Sequence, residues 1–222
     1  MSSLVAEHLD RVRRSLPEGV TLVAVSKFHP AEVLLEAYHA GQRLFGESRV
    51  QELEEKRKVL PADIQWHFIG HLQTNKVRYI VPYISLIHSV DSVKLLAEIE
   101  RQAARVGRVV DCLLEVHVAA EETKYGFSPD ESLAFLADFH PEEYRHVSIR
   151  GLMGMASNTD DEVRVAADFA TLKGLFDAAR SRFGLPRFDT LSMGMSHDYG
   201  IAVREGSNMV RVGTTIFGDR QY

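Results

Sequence analysis

The chain has one cysteine, Cys112, in 222 residues. An intramolecular disulfide is therefore excluded, and the composition fits a reducing, cytoplasmic setting. Cys112 lies inside the apolar run VVDCLLEVHV, where a buried, inert thiol is expected rather than a nucleophile. No stretch approaches the roughly 18 uninterrupted apolar residues that a membrane span needs. Neither sign of charge dominates: 26 Lys and Arg against 31 Asp and Glu give a net −5, so no nucleic-acid or anionic-membrane partner is expected. The first residues, MSSLVAEHLDRVRRSL, carry charge throughout; they read as an amphipathic helix with Val5, Leu9 and Val12 on one face, not as a signal peptide. His-x-His occurs on no candidate strand. His67 and His71 are four apart, but Gly70 at a strand end keeps them off one helix face, so no metal site is expected. Low-complexity segments, repeats and linkers are also missing.

What is present is alternation. Short β-like runs fall at 20–28, 42–48, 64–70, 85–90, 109–118, 148–156, 190–196 and 209–218, with helical patterns between them. His29-Pro30 opens the first intervening helix, with Pro expected at its first position. A charged helix follows over about 49–60, its EELEEKRK-like stretch reading as a solvated face. Further helices are expected near 75–80, through Leu95, Leu96, Ile99 and Ala103, over 130–139, through Val165, Phe169, Leu172 and Phe176, and over 198–204. Strands alternating with helices imply a parallel sheet, and eight such units are the number that closes a (β/α)8 TIM barrel. The expectation is one domain over 1–222 with an extra N-terminal helix. The rival, an open doubly wound sheet, would usually carry a Gly-rich loop after its first strand; this chain has Ser26-Lys27-Phe28-His29-Pro30 there.

In such a barrel the site lies at the C-terminal ends of the strands. Lys27 follows the mostly apolar run from Thr21 to Ser26. Lysine is rarely buried without a partner or a function, so Lys27 is either a side chain snorkelling to the rim or an amine able to condense with an aldehyde. Met-Gly-Met-Ser at 193–196 and Val-Gly-Thr at 212–214 put glycine turns and hydroxyls after strands seven and eight, where barrels often hold phosphate. Arg211 lies two residues before Gly213, so strand alternation puts both on one face. A buried arginine needs an acceptor there, a ring nitrogen or a carboxylate.

The stretches LVAVSKFHP, FGESRVQELEEK, WHFIGHLQTNK, HSVDS, ETKYGF, GLMGMA, LSMGMSHD and MVRVGTTIFG resemble, in order and over essentially the whole chain, the pyridoxal phosphate homeostasis proteins, relatives of the alanine racemase N-terminal barrel. The resemblance implies that Lys27 carries pyridoxal 5'-phosphate as a Schiff base. It implies that Ser196, Gly213 and Thr214 hold the phosphate, that Arg211 faces the pyridine nitrogen, and that His67 and Met193 belong to the wall or the layer behind it. Ser48 stands where the family usually has asparagine, and His117 departs from an asparagine as well; Ser48 is counted with the cofactor-binding set as the shorter donor. The resemblance further implies a buffer or carrier of the cofactor, with apoenzymes as recipients, rather than a catalyst. An always-charged arginine at the ring nitrogen does not favour carbanion chemistry. The resembled racemases take a second base from a C-terminal β-domain across a dimer; this sequence ends at Tyr222 without one, so a monomer with at most weak racemase activity is expected. The alternatives are an amino-acid racemase and a sugar-phosphate barrel enzyme using Lys27 with no cofactor.

Overall fold

The computed structural model describes residues 3–121, 125–185 and 187–219. Part of the ETKYGF stretch, residues 122–124, and the chain end at Tyr222 lie outside the described residues. The strands are β1 (Thr21–Val25), β2 (Leu44–Glu47), β3 (Gln65–Phe68), β4 (Leu86–Val90), β5 (Val110–His117), β6 (Val147–Met155), β7 (Thr190–Ser192) and β8 (Met209–Val212). They close in sequence order into one parallel barrel, with Thr21 of β1 beside Met209 of β8 at the seam. The helices are α1 (Leu4–Ser15), α2 (Ala31–His39), α3 (Val50–Val59), α4 (Val77–Ile80, after a 3-10 turn at Thr74–Lys76), α5 (Val93–Arg105), α6 (Pro129–Ala137), α7 (Glu162–Phe183), α8 (Tyr199–Arg204) and α9 (Thr214–Phe217).

Period-two alternation sorts the strand residues into two layers. Leu22, Ala24, Phe45, Trp66, Phe68, Leu114, Leu152, Leu191, Val210 and Val212 point outward into the large core shared with the helices. Val23, Leu86, Leu113, Met153 and Met209 form a separate small cluster inside the barrel. Cys112 is sealed in the outer layer, where burial pushes its thiol pKa upward and keeps it inert. α1 buries Val5, Leu9 and Val12, and Arg13 ties it to the end of α2 through the Ala40 carbonyl (2.7 Å) and Gln42 Oε1 (2.9 Å). It also packs on α9, where His8 Nδ1 meets the Ile216 carbonyl oxygen at 3.3 Å. Among the described residues, no helix is long and apolar enough to cross a membrane.

Several boundaries differ from the sequence expectation, among them the end of β1, which stops at Val25 rather than 28. Pro30 is not the first helical residue but the extended cap before it, at φ −69° and ψ 159°. β7 stops at Ser192 rather than 196. β8 stops at Val212 rather than 218, because Gly213 turns at ψ −79° and the run TTIF winds into α9, closed by Phe217 N–H to the Gly213 carbonyl at 2.9 Å. A β-branched run thus becomes a helical turn because Ile216 finds the core that way.

Candidate functional site

Along the first strand, Val23 points into the barrel, Ala24 out, Val25 in and Ser26 out, so Lys27 falls on the inward register at the strand's C-terminal end. The chain reverses at once: His29 N–H donates to the Ser26 carbonyl at 3.1 Å, with Phe28 at φ 67°. That left-handed conformation is costly for an aromatic residue. It leaves Lys27, half-buried, lining a cleft of about 230 Å³ at the barrel mouth. Val25, Ile69, Met155 and Met195 form apolar wall, and Ser196, Arg211, Gly213 and Thr214 supply polar groups. Larger hollows lie on the outside, between α1 and α2 and beside α6, away from the strand ends.

The wall facing Lys27 is built by the turn after β7. Gly194 sits at φ 95°, and a Cβ there would lie 2.6 Å from Ala202 Cβ, so only glycine fits. Asp198 Oδ1 accepts from Met195 N–H at 2.5 Å and fixes the turn. Ser196 Oγ accepts from Gly213 N–H at 3.0 Å. That amide therefore orients the serine, whose own hydroxyl proton is left to donate. Gly213 is packed on the first strand, where a Cβ would meet the Val25 carbonyl oxygen at 3.0 Å.

Inside the barrel a polar chain runs beneath the cleft. Arg211, 4% exposed, donates through NH1 to the Ser192 carbonyl (2.9 Å) and hydroxyl (2.6 Å), and through NH2 to the Gly154 carbonyl (3.1 Å). Among the described residues, carbonyls and a hydroxyl thus hold it, with no carboxylate ion pair. Burial lowers its pKa to about 10, partly offset by Asp198 and Glu115, so it stays a cation at neutral pH. Ser192 Oγ meets His88 Nδ1 at 3.0 Å, and His88 Nε2 meets His67 Nδ1 at 3.0 Å. Burial lowers the His67 pKa to about 4 and holds that of His88 well below its ordinary value, so both rings are neutral. Glu115 on β5 completes the interior; burial, then the nearby Asp91, raises its pKa to about 7, against the pull of Arg211.

Of the residues read from the sequence, Lys27, Ser196, Arg211, Gly213 and Thr214 come together at this cleft. Ser48, His67 and Met193 do not line it. Ser48 lines a separate hollow with His71 and Lys76. His67 sits in the interior chain, and Met193 points outward into the core with the helices. His117 Nε2 lies 2.9 Å from the Ala119 carbonyl oxygen. The charged face expected on α3 needs a correction: Lys56 is 6% exposed, not solvated, and its ammonium reaches Glu47, Glu52 and the Ser26 carbonyl. The signal was present in the spacing, since Lys56 lies three residues after the buried Leu53 and four before the buried Leu60. Among the described residues, no group of three His, Cys, Asp or Glu side chains could hold a metal ion.

A closed parallel barrel of eight strands is the fold of the alanine-racemase type. The family described as alanine racemase, N-terminal domain, matches residues 3–221. The alanine racemase of Streptomyces coelicolor shares the fold, with a TM-score of 0.79 at 18% identity over 97% of this chain and 58% of that one. The chain belongs, within that class, to the pyridoxal phosphate homeostasis protein family. It is 41% identical to the protein of that name from Aquifex aeolicus over 90% of this chain and 87% of the relative. It is 36% identical to that of Schizosaccharomyces pombe over 98% and 94%. The structure of PipY from Synechococcus elongatus with pyridoxal phosphate bound matches at a TM-score of 0.87 and 39% identity, over 96% of this chain and 100% of that one.

Proposed function

We propose that this protein binds pyridoxal 5'-phosphate at the cleft through Lys27 and serves in its homeostasis rather than in turnover of a substrate. The observation that carries the reading is Lys27 on the inward register of the first strand, sharing one small cleft with the Ser196 and Thr214 hydroxyls and Arg211. When bound, the cofactor supplies an aldehyde that condenses reversibly with a primary amine, releasing water. The residues fit the group: an amine at one end, apolar side chains along the ring, and hydroxyl donors at the other end. Ser196, with its oxygen already occupied by Gly213 N–H, donates to the phosphate beside the Thr214 hydroxyl, and Gly213 contributes by holding that serine in place. Arg211, fixed by Ser192 and Gly154 and always charged, donates toward the ring nitrogen and cannot keep it protonated. That weighs against racemase chemistry, and no residue at the cleft is assigned a catalytic role. His67 and Met193 act from behind the cleft wall, and Ser48 from the neighbouring loop. In this reading the protein is a cytoplasmic monomer that passes its cofactor to apoenzymes.

The test is borohydride reduction of protein incubated with the cofactor, followed by peptide mass mapping. A pyridoxyl phosphate adduct on the Lys27 peptide, absent in Lys27→Ala together with the near-visible absorbance, is expected. No adduct in folded wild-type protein would leave the sugar-phosphate alternative.

A further inference from the structure

The turn that presents Lys27 is held from behind by three charged side chains, none of which lines the cleft. Lys56 reaches across from α3, and its ammonium donates to the Ser26 carbonyl at 2.7 Å and to Oε1 of both Glu47 and Glu52 at 2.6 Å. Ser26 donates its hydroxyl to the same Glu47 oxygen at 2.6 Å. Glu52 Oε1 accepts from the Phe28 N–H at 2.6 Å. The residue before Lys27 is thus gripped at its carbonyl and hydroxyl, and the residue after it at its amide. Phe28 holds a left-handed conformation that a bulky side chain keeps only when its surroundings impose it.

The arrangement is expensive as mere packing. Glu47 is fully buried, and its second oxygen, Oε2, has no partner. An apolar filler of similar volume is often at least as stabilising as a buried ion pair. What an apolar filler lacks is an acceptor for Phe28 N–H and a donor for the Ser26 carbonyl.

We infer that Lys56, Glu47 and Glu52 are positioning residues: they fix the backbone on both sides of Lys27 and thereby set how readily its amine takes the pyridoxal aldehyde. The inference rests on the reading of Lys27 given above.

Glu52, 19% exposed, is the replacement least exposed to folding failure. The full chain is compared as wild type, Glu52→Ala, Glu52→Gln and Lys56→Met, with melting curves confirming folding. The first readout is the cofactor concentration that gives half-maximal borohydride-trapped adduct at Lys27. The second is binding of pyridoxine 5'-phosphate, which has an alcohol in place of the aldehyde and cannot link to lysine. Glu52→Ala should raise the half-maximal concentration about tenfold, the scale of one hydrogen bond to a charged group. Pyridoxine 5'-phosphate binding should not change. Glu52→Gln, whose amide oxygen still accepts from Phe28 N–H, should recover most of the loss, and Lys56→Met should act in the same direction as Glu52→Ala. Unchanged trapping in Glu52→Ala and Lys56→Met overturns the inference, as does equal weakening of both ligands or failure of Glu52→Gln to recover. Absence of any Lys27 adduct in the wild type instead removes the reading of Lys27 itself.

Discussion

His67 and Glu115 face one barrel interior and tilt its stability in opposite directions with pH. His67 has its pKa lowered from 6.5 to about 4. Between those values the unfolded chain binds a proton that the folded one refuses, so stability is lost as pH falls through that window, by up to roughly 3 kcal/mol. Glu115 has its pKa raised from 4.5 to about 7. Across that window the unfolded chain gives up a proton that the folded one keeps, so stability is lost as pH rises, by a similar amount at most. His88 adds to the first slope and Glu47 to the second. The expected outcome is a shallow wild-type profile that single replacements tilt. Urea midpoints of Glu115→Gln should rise more steeply between pH 4.5 and 7, and those of His67→Gln should fall with rising pH. Parallel profiles for the two variants would show that neither group titrates as its surroundings dictate.

The order of elements was legible from periodicity, and the ends of elements were not. Eight alternating units were enough to imply the barrel, and Val5, Leu9 and Val12 were readable as the buried face of α1. Strand ends were overrun at β1, β7 and β8 because apolar, β-prone residues continue into turns. Only tertiary contacts decide that Gly213 bends the chain and that Phe28 turns left-handed. The cleft residues were visible because they fall at the C-terminal ends of strands and in the motifs that carry the resemblance, whereas the side to which Lys27 points was left open until the strand register settled it. Lys56 was missed because a lysine in a run of charges looks solvated until the helix stripe containing Leu53 and Leu60 is drawn through it. The turn after β7 is sensitive to a single atom. Gly194→Ala combines a positive φ with a Cβ 2.6 Å from Ala202, and should cost roughly 2 kcal/mol or more. Thermal unfolding of the variant should show that loss, with phosphate-ligand binding weakened alongside it.

On the scale of the molecule, α1 is more than an appendage, since it spans from α2 to α9 across the seam where β1 meets β8. Leu9 is its fully buried anchor, and Leu9→Ala should cost about 2–5 kcal/mol. A urea midpoint unchanged by that replacement would show that α1 does not hold the seam. The same seam sets an order of events in the cell. Thr21 pairs with Met209, and α1 docks on a helix that begins at Thr214. A nascent chain therefore exposes its first strand edge and an apolar helix face until β8 and α9 have left the ribosome. Such long-range pairing is slow and open to aggregation. The lysine at the end of that strand can be delivered to its cleft only after Arg211, Gly213 and Thr214 have been made, so loading of a ligand there waits on the last strand of the barrel.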